Sequence, residues 1–217
     1  MDITEKYRER SQAPELVLLR LQAFCRLNSL SFGLLNGALV LLLMLLPVGI
    51  MFPGEAFQGV LGIALFFSAS IAILSGFTSP VFRGAENDLA GLGPVLSMSA
   101  EQVTPLAQSL TRMTKPHFQR ATLFAVGTGL AHSWLLGTFH LPLPYAISQG
   151  SATILLWTIM TWTIPALIMN ALLFSRLGKT ARPDLLRPSR QAGFGSAALR
   201  PALFMIGTLC AYPLLLL

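Results

Sequence analysis

A chain of 217 residues that is 53% hydrophobic and only 11% charged, with a mean hydropathy of +0.65, is too apolar to be an ordinary soluble domain. Its formal charge of +6 is accounted for by membrane topology and contact with anionic lipid at the cytoplasmic face, so nucleic acid is excluded as the reading of that charge. The class these numbers imply is all-α: a polytopic transmembrane helix bundle forming a single membrane domain over residues 1–217.

Residues 1–26 form a cytoplasmic N-terminal amphipathic segment. Within it, Ser11-Gln-Ala-Pro14-Glu15 is a helix start, with proline and an acid in the first turn. Leu16, Leu19, Ala23, Phe24 and Leu27 then share one side. That suits a helix at the inner leaflet, or one running straight on into the first span.

About five spans follow: Leu27–Phe52, Phe57–Val81, Phe118–Phe139, Ala146–Phe174 and Pro201–Leu217. A span needs about 20 apolar residues, within a range of about 17–25, and the last run sits at the lower limit. The first carries Gly33 and Gly37 with Asn36 between them, a spacing that brings helix backbones together within a bundle. The second carries Ala64, Ser68, Ala72 and Gly76, a small residue at every fourth position.

Residues 82–117 are a cytoplasmic connection containing a short amphipathic helix. Ser99 to Gln102 fits a capping box, and Val103, Leu106, Leu110 and Met113 follow helical spacing. Pro105 keeps this helix short or bent, and it is expected on the membrane surface.

The third run holds a second small-residue stripe, Ala121, Ala125, Gly129, Ser133 and Gly137, together with His132. Such a stripe predicts a central helix whose natural partner is the second span. The fourth run is overlong, and Pro165 is expected to kink it because it cannot donate to the carbonyl of Thr161. His132, at similar depth, is expected to supply that missing N–H. Residues 175–200 are a second cytoplasmic connection, read as a basic loop along the membrane. Asp184-Leu-Leu-Arg-Pro188 faintly echoes Asp88-Leu-Ala-Gly-Leu-Gly-Pro94, as in parallel repeats of transporters.

Fourteen of the fifteen Lys and Arg residues lie before the first run, between the second and third, or between the fourth and fifth, and Arg120 stands at the start of the third run, on the same side. The positive-inside rule therefore places the N-terminus in and the C-terminus out. The general appearance resembles small polytopic proteins of bacterial inner membranes, a resemblance of class resting on no specific motif. Termination in Leu214–Leu217, directly after a marginal span, is also compatible with a longer protein.

Catalytic signatures are lacking: there is no HExxH, GxSxG, Walker A or CxxC pattern. His117, His132 and His140 lie on or beside one helix, which disfavours a bis-histidine haem site. No cofactor is expected. What remains is an intramembrane polar layer, with His132, Ser70, Thr161, Thr163 and Tyr212 at one level and Asn36 and Asn170 at a shallower one. The readings in order are a non-enzymatic subunit, scaffold or assembly partner, in a homo- or hetero-oligomer; a transporter-like or small-molecule-binding component with a polar site around His132; and the membrane sensor of a longer signalling protein.

Overall fold

The computed structural model describes residues 7, 9–51, 55–96, 98–181 and 191–216, and these are predominantly helical, with no strand among them. Residues 52–54 at the end of the first run, the loop 182–190 with the Asp184–Pro188 echo, and residue 217 lie outside the described residues. We label the helices α1 (Val17–Cys25), α2 (Ser29–Met51), α3 (Glu55–Gly91), α4 (Gly93–Leu96), α5 (Ala100–Ser109), α6 (Lys115–Leu135), α7 (Leu143–Thr180) and α8 (Ala192–Leu209). Short 3-10 turns at Thr138–His140 and Tyr212–Leu216 complete the order.

Four segments are long and apolar enough to cross a membrane: Ser29–Ile50, Val60–Gly91, Leu143–Lys179 and Ala192–Leu214. The 21-residue α6 has the length to cross about 30 Å of hydrocarbon. It is less apolar, because Gln119, Arg120, Thr122, Thr128 and His132 interrupt it.

The organising helix is α3, which packs against α2, α8, α7, α5 and the terminal turn. This corrects the expectation that the third run is central: α6 lies at the edge, packed chiefly on α7. Its stripe is covered, with Ala125, Gly129 and Ser133 buried. Its opposite side turns Leu123, Leu130 and Trp134 outward. A one-sided stripe recruits one neighbour and leaves the rest of the surface to lipid.

Contrary to the expectation from sequence, the two stripes do not pair with each other. That of α3 meets α2, where a Cβ on Gly33 would lie 2.5 Å from the Ala72 carbonyl oxygen and 2.9 Å from Gly76 Cα. Ser68 Oγ donates to the Gly37 carbonyl at 2.9 Å. The α6 stripe meets α7, where a Cβ on Gly129 would lie 2.9 Å from Ile154 Cα. Gly137 falls past the end of α6, in the left-handed region at φ 68°, and closes the helix there.

Both α3, at 37 residues, and α7, at 38 residues, are about 55 Å long, far beyond the hydrocarbon thickness of about 30 Å. Their ends build a second apolar cluster at the basic end of the bundle, with Leu89, Leu92, Leu106, Leu110, Leu173 and Leu177 buried in it. The α5 helix buries its apolar face in this cluster, so its packing is against protein. It begins where the capping box places it, with Ser99 N–H donating to Gln102 Oε1 at 3.1 Å.

The N-terminal helix differs from expectation as well. Leu16, Leu18 and Leu19 are buried in the bundle, whereas Phe24 is 85% exposed. The helix does not continue into the span: Arg26 turns it off at φ 53°, and Asn28 Oδ1 then accepts from Ser31 N–H at 2.8 Å to open α2. Finally, the loop expected over 175–200 is helical up to Thr180 and again from Ala192. Arg200 therefore sits inside α8. It can do so because both terminal nitrogens of its guanidinium bond the Asp88 carboxylate of α3.

Candidate functional site

The site is built between α6, α7 and the N-terminal segment. Residues 10–16 are clasped to the turn between α5 and α6: Leu16 N–H donates to the Thr111 carbonyl at 2.9 Å, and Met113 N–H to the Pro14 carbonyl at 3.1 Å. The Arg112 guanidinium donates to the carbonyls of Ser11 and Ala13. Arg10 reciprocates, its Nε–H donating to the Arg112 carbonyl at 2.7 Å. The clasp thereby fixes Arg10 over the gap between α6 and α7, where it is 7% exposed. Burial pushes the Arg10 guanidinium below its ordinary pKa, with the Tyr7 phenol acting the other way.

Two indoles on α7 tie that helix to α6. Trp157 Nε1–H donates to His132 Nδ1 at 3.0 Å, and Trp162 Nε1–H donates to Thr122 Oγ1 at 3.0 Å. An indole nitrogen can only donate, so Nδ1 of His132 carries the lone pair. This corrects the expected role of His132 as donor to the Thr161 carbonyl: it is an acceptor, and the partner lies one turn earlier on α7. The Thr161 hydroxyl donates to the Trp157 carbonyl at 2.9 Å.

Residues of α6, α7 and the N-terminal segment line a cavity of about 630 Å³. Its walls are mostly apolar, formed by Met113, Phe124, Met160, Ile164, Ala166 and Met169. One end is polar and basic, where Arg10, Arg120, His117, Thr114, Tyr7 and Glu9 converge. The other end reaches Trp157 and Thr161. Trp157 and Met169 are twelve positions apart on α7, about 18 Å along its axis. Pro165 also lines the cavity. It has no N–H to offer the Thr161 carbonyl, leaving a backbone acceptor in the wall.

Where the seven residues expected as a polar layer form hydrogen bonds, the partners lie outside that set. No hydrogen bond joins any two of them among the described residues. Asn36 Nδ2 donates to the Phe32 carbonyl of its own helix at 2.9 Å, and the Thr163 hydroxyl donates to the Ile159 carbonyl at 2.8 Å. Asn170 Nδ2 reaches the Leu110 carbonyl at 3.3 Å. Ser70 Oγ is buried without a partner. Tyr212 is 55% exposed, its ring 5.2 Å from that of Phe66. A shared depth does not put side chains on facing sides of their helices. His132 and Thr161 share a partner in Trp157, through its indole and its carbonyl respectively.

Sequence reasoning missed the residues that matter most here. Trp157 and Trp162 carry no motif that marks them in the sequence, and Arg10 counts there as one topology charge among fifteen. A signal was present for the tryptophans, since an indole N–H in a span must find an acceptor.

No family model matches the chain, and neither curated proteins nor solved structures gave a match. Function must therefore be argued from the site itself.

The Trp157–His132 bond makes a definite prediction. His132→Ala should lower stability in detergent by about 0.6–1.7 kcal/mol, the span seen for hydrogen bonds between membrane helices. His132→Gln, whose carbonyl oxygen can still accept, should recover most of it. Equal unfolding midpoints for all three proteins would show that the bond carries no stability.

Proposed function

We propose that this chain is a small-molecule-binding component of a bacterial inner membrane, with five spans, its N-terminus and basic end in the cytoplasm and its C-terminus outside. The single observation that carries the reading is the cavity of about 630 Å³ between α6, α7 and the clasped N-terminal segment. That volume lies within the range of about 300–1,000 Å³ typical of small-molecule sites. Its apolar walls with a few convergent polar groups at one end are the usual composition of such a site. In the proposed orientation the basic end of the cavity lies at the inner interface, and its apolar end points into the bilayer.

The subunit or scaffold reading is weaker on this geometry. Its support was the lack of catalytic motifs together with the small-residue stripes, and the fold uses the stripes within the chain, Gly33 and Gly37 against α3 and Gly129 against α7. The sensor reading gains no support from the packing.

Two measurements test the proposal. In a background with Cys25 and Cys210 changed to Ser, a cysteine at Pro142 should react with an impermeant thiol reagent added outside intact cells, and one at Lys179 should not. The reverse pattern would overturn the orientation. For binding, a neutral solvatochromic dye should show saturable, blue-shifted fluorescence with the purified protein. Ala121→Phe, which projects a ring into the cavity, should abolish the saturable part. Dye binding indifferent to that substitution would count against the cavity as a site.

A further inference from the structure

Resting on that reading, we propose that the cavity takes a single-chain amphiphile with an anionic head, the head at Arg10 and Arg120 and the chain running between α6 and α7 towards Trp157.

The argument begins with Arg10. Its guanidinium is buried, yet its partners are neutral: the Arg112 carbonyl at 2.7 Å and the Met169 thioether at 3.6 Å, a weak acceptor. Among the described residues no carboxylate stands within ion-pairing distance of it; the ion pairs are Arg83 with Glu15 and Arg200 with Asp88. Buried charges in proteins are ordinarily paired, because the desolvation of an uncompensated guanidinium costs several kcal/mol. Arg10 borders the cavity, so an anion there would complete it.

Two further groups point the same way. Arg120 and His117, in the first turns of α6, line the same end. The one carboxylate in the lining is Glu9, which is exposed and so faces water at the mouth. From this basic end the wall passes within a few residues to Met160, Ile164 and Phe124. A free inorganic anion would leave that apolar wall unfilled. A neutral chain would leave Arg10 unpaired. An acyl carboxylate or alkyl phosphate satisfies both halves at once, and arginine suits both head groups through its forked donors.

The test uses Trp157 as the reporter, since it lines the far end of the cavity. A single-tryptophan protein, Trp134→Phe/Trp162→Phe, is placed in phosphatidylcholine nanodiscs and titrated with terminally brominated lauric acid, which quenches nearby indoles. Brominated lauryl alcohol is the neutral control of the same chain. The expected result is saturable quenching by the acid at a concentration about tenfold lower than by the alcohol, a modest share for charge-assisted bonds. Lauryl phosphate should compete with the acid, whereas acetate and inorganic phosphate should not.

Arg10→Gln should bring the acid to within about threefold of the alcohol, since one charge-assisted contact is lost. Because Arg10 also holds the clasp, Arg120→Gln serves as the second variant: Arg120 is exposed, and its change should reduce the preference without altering the fold. Equal quenching by acid and alcohol in the single-tryptophan protein would overturn the anionic head while leaving the cavity as a site. Competition by acetate or phosphate alone would overturn the need for a chain. Quenching by neither compound in a saturable way would remove the small-molecule reading itself.

Discussion

Asp88→Ala should destabilise the detergent-solubilised protein by about 2–3 kcal/mol, read as a clear fall in its unfolding midpoint. Arg200 stands within α8, in a segment apolar enough to span. Its guanidinium bonds Asp88 of α3 and lies so close over Gly84 that a Cβ there would be 2.8 Å from its central carbon. Removing one partner of a buried pair costs about 3–5 kcal/mol, because the other charge is left uncompensated. Here the side chains are 14% and 33% exposed, so part of that cost is screened. The double variant Asp88→Leu/Arg200→Leu should regain most of the loss, since an apolar pair needs no compensation. A double-mutant cycle with a coupling near zero would show that α8 is held without this pair.

The membrane class and the positions of the long helices were legible because runs of about 20 apolar residues have few other uses. Helix ends were less so, and Arg200 shows why. A lone arginine beside an apolar run reads as the end of that run. Its partner stands 112 positions earlier, and no local pattern reveals an ion pair across that distance. The choice of partners among small-residue stripes was likewise hidden. Ala64, Ser68, Ala72 and Gly76 resemble Ala121, Ala125, Gly129 and Ser133 in chemistry, so the stripes announce close packing without saying against what.

The candidate site was partly legible. His132 stands out in the sequence as an ionisable group deep in a run, and its bond in the structure is to Trp157 of α7 rather than to the Thr161 carbonyl. Its role as acceptor depends on the indole of Trp157, which offers only a donor. The cavity had no sequence signal of its own. It exists because the clasp of residues 10–16 on residues 111–113 brings Arg10 over the gap between two later helices. That arrangement is a tertiary fact, and it turns one charge in a topology count into a buried cation.

The same substitution at two glycines of α2 should act with opposite sign. Gly33→Ala places its methyl group 2.5 Å from the Ala72 carbonyl oxygen, 2.9 Å from Gly76 Cα and 3.2 Å from Gly76 N. All three are backbone atoms, so no side chain can swing aside, and α2 must move away from α3. Overpacking of this kind costs about 1–3 kcal/mol, and the α2–α3 pairing is the most extensive in the bundle. Gly49, near the other end of α2, has nothing within 4 Å of the position its Cβ would take. Gly49→Ala therefore meets no steric obstacle and should stabilise by about 0.5–1 kcal/mol, through the smaller conformational freedom lost on ordering the helix. Unfolding midpoints of the two variants in one detergent decide the matter. A Gly33→Ala midpoint that rises together with that of Gly49→Ala would mean that α2 does not approach α3 at Gly33 as closely as the backbone positions require.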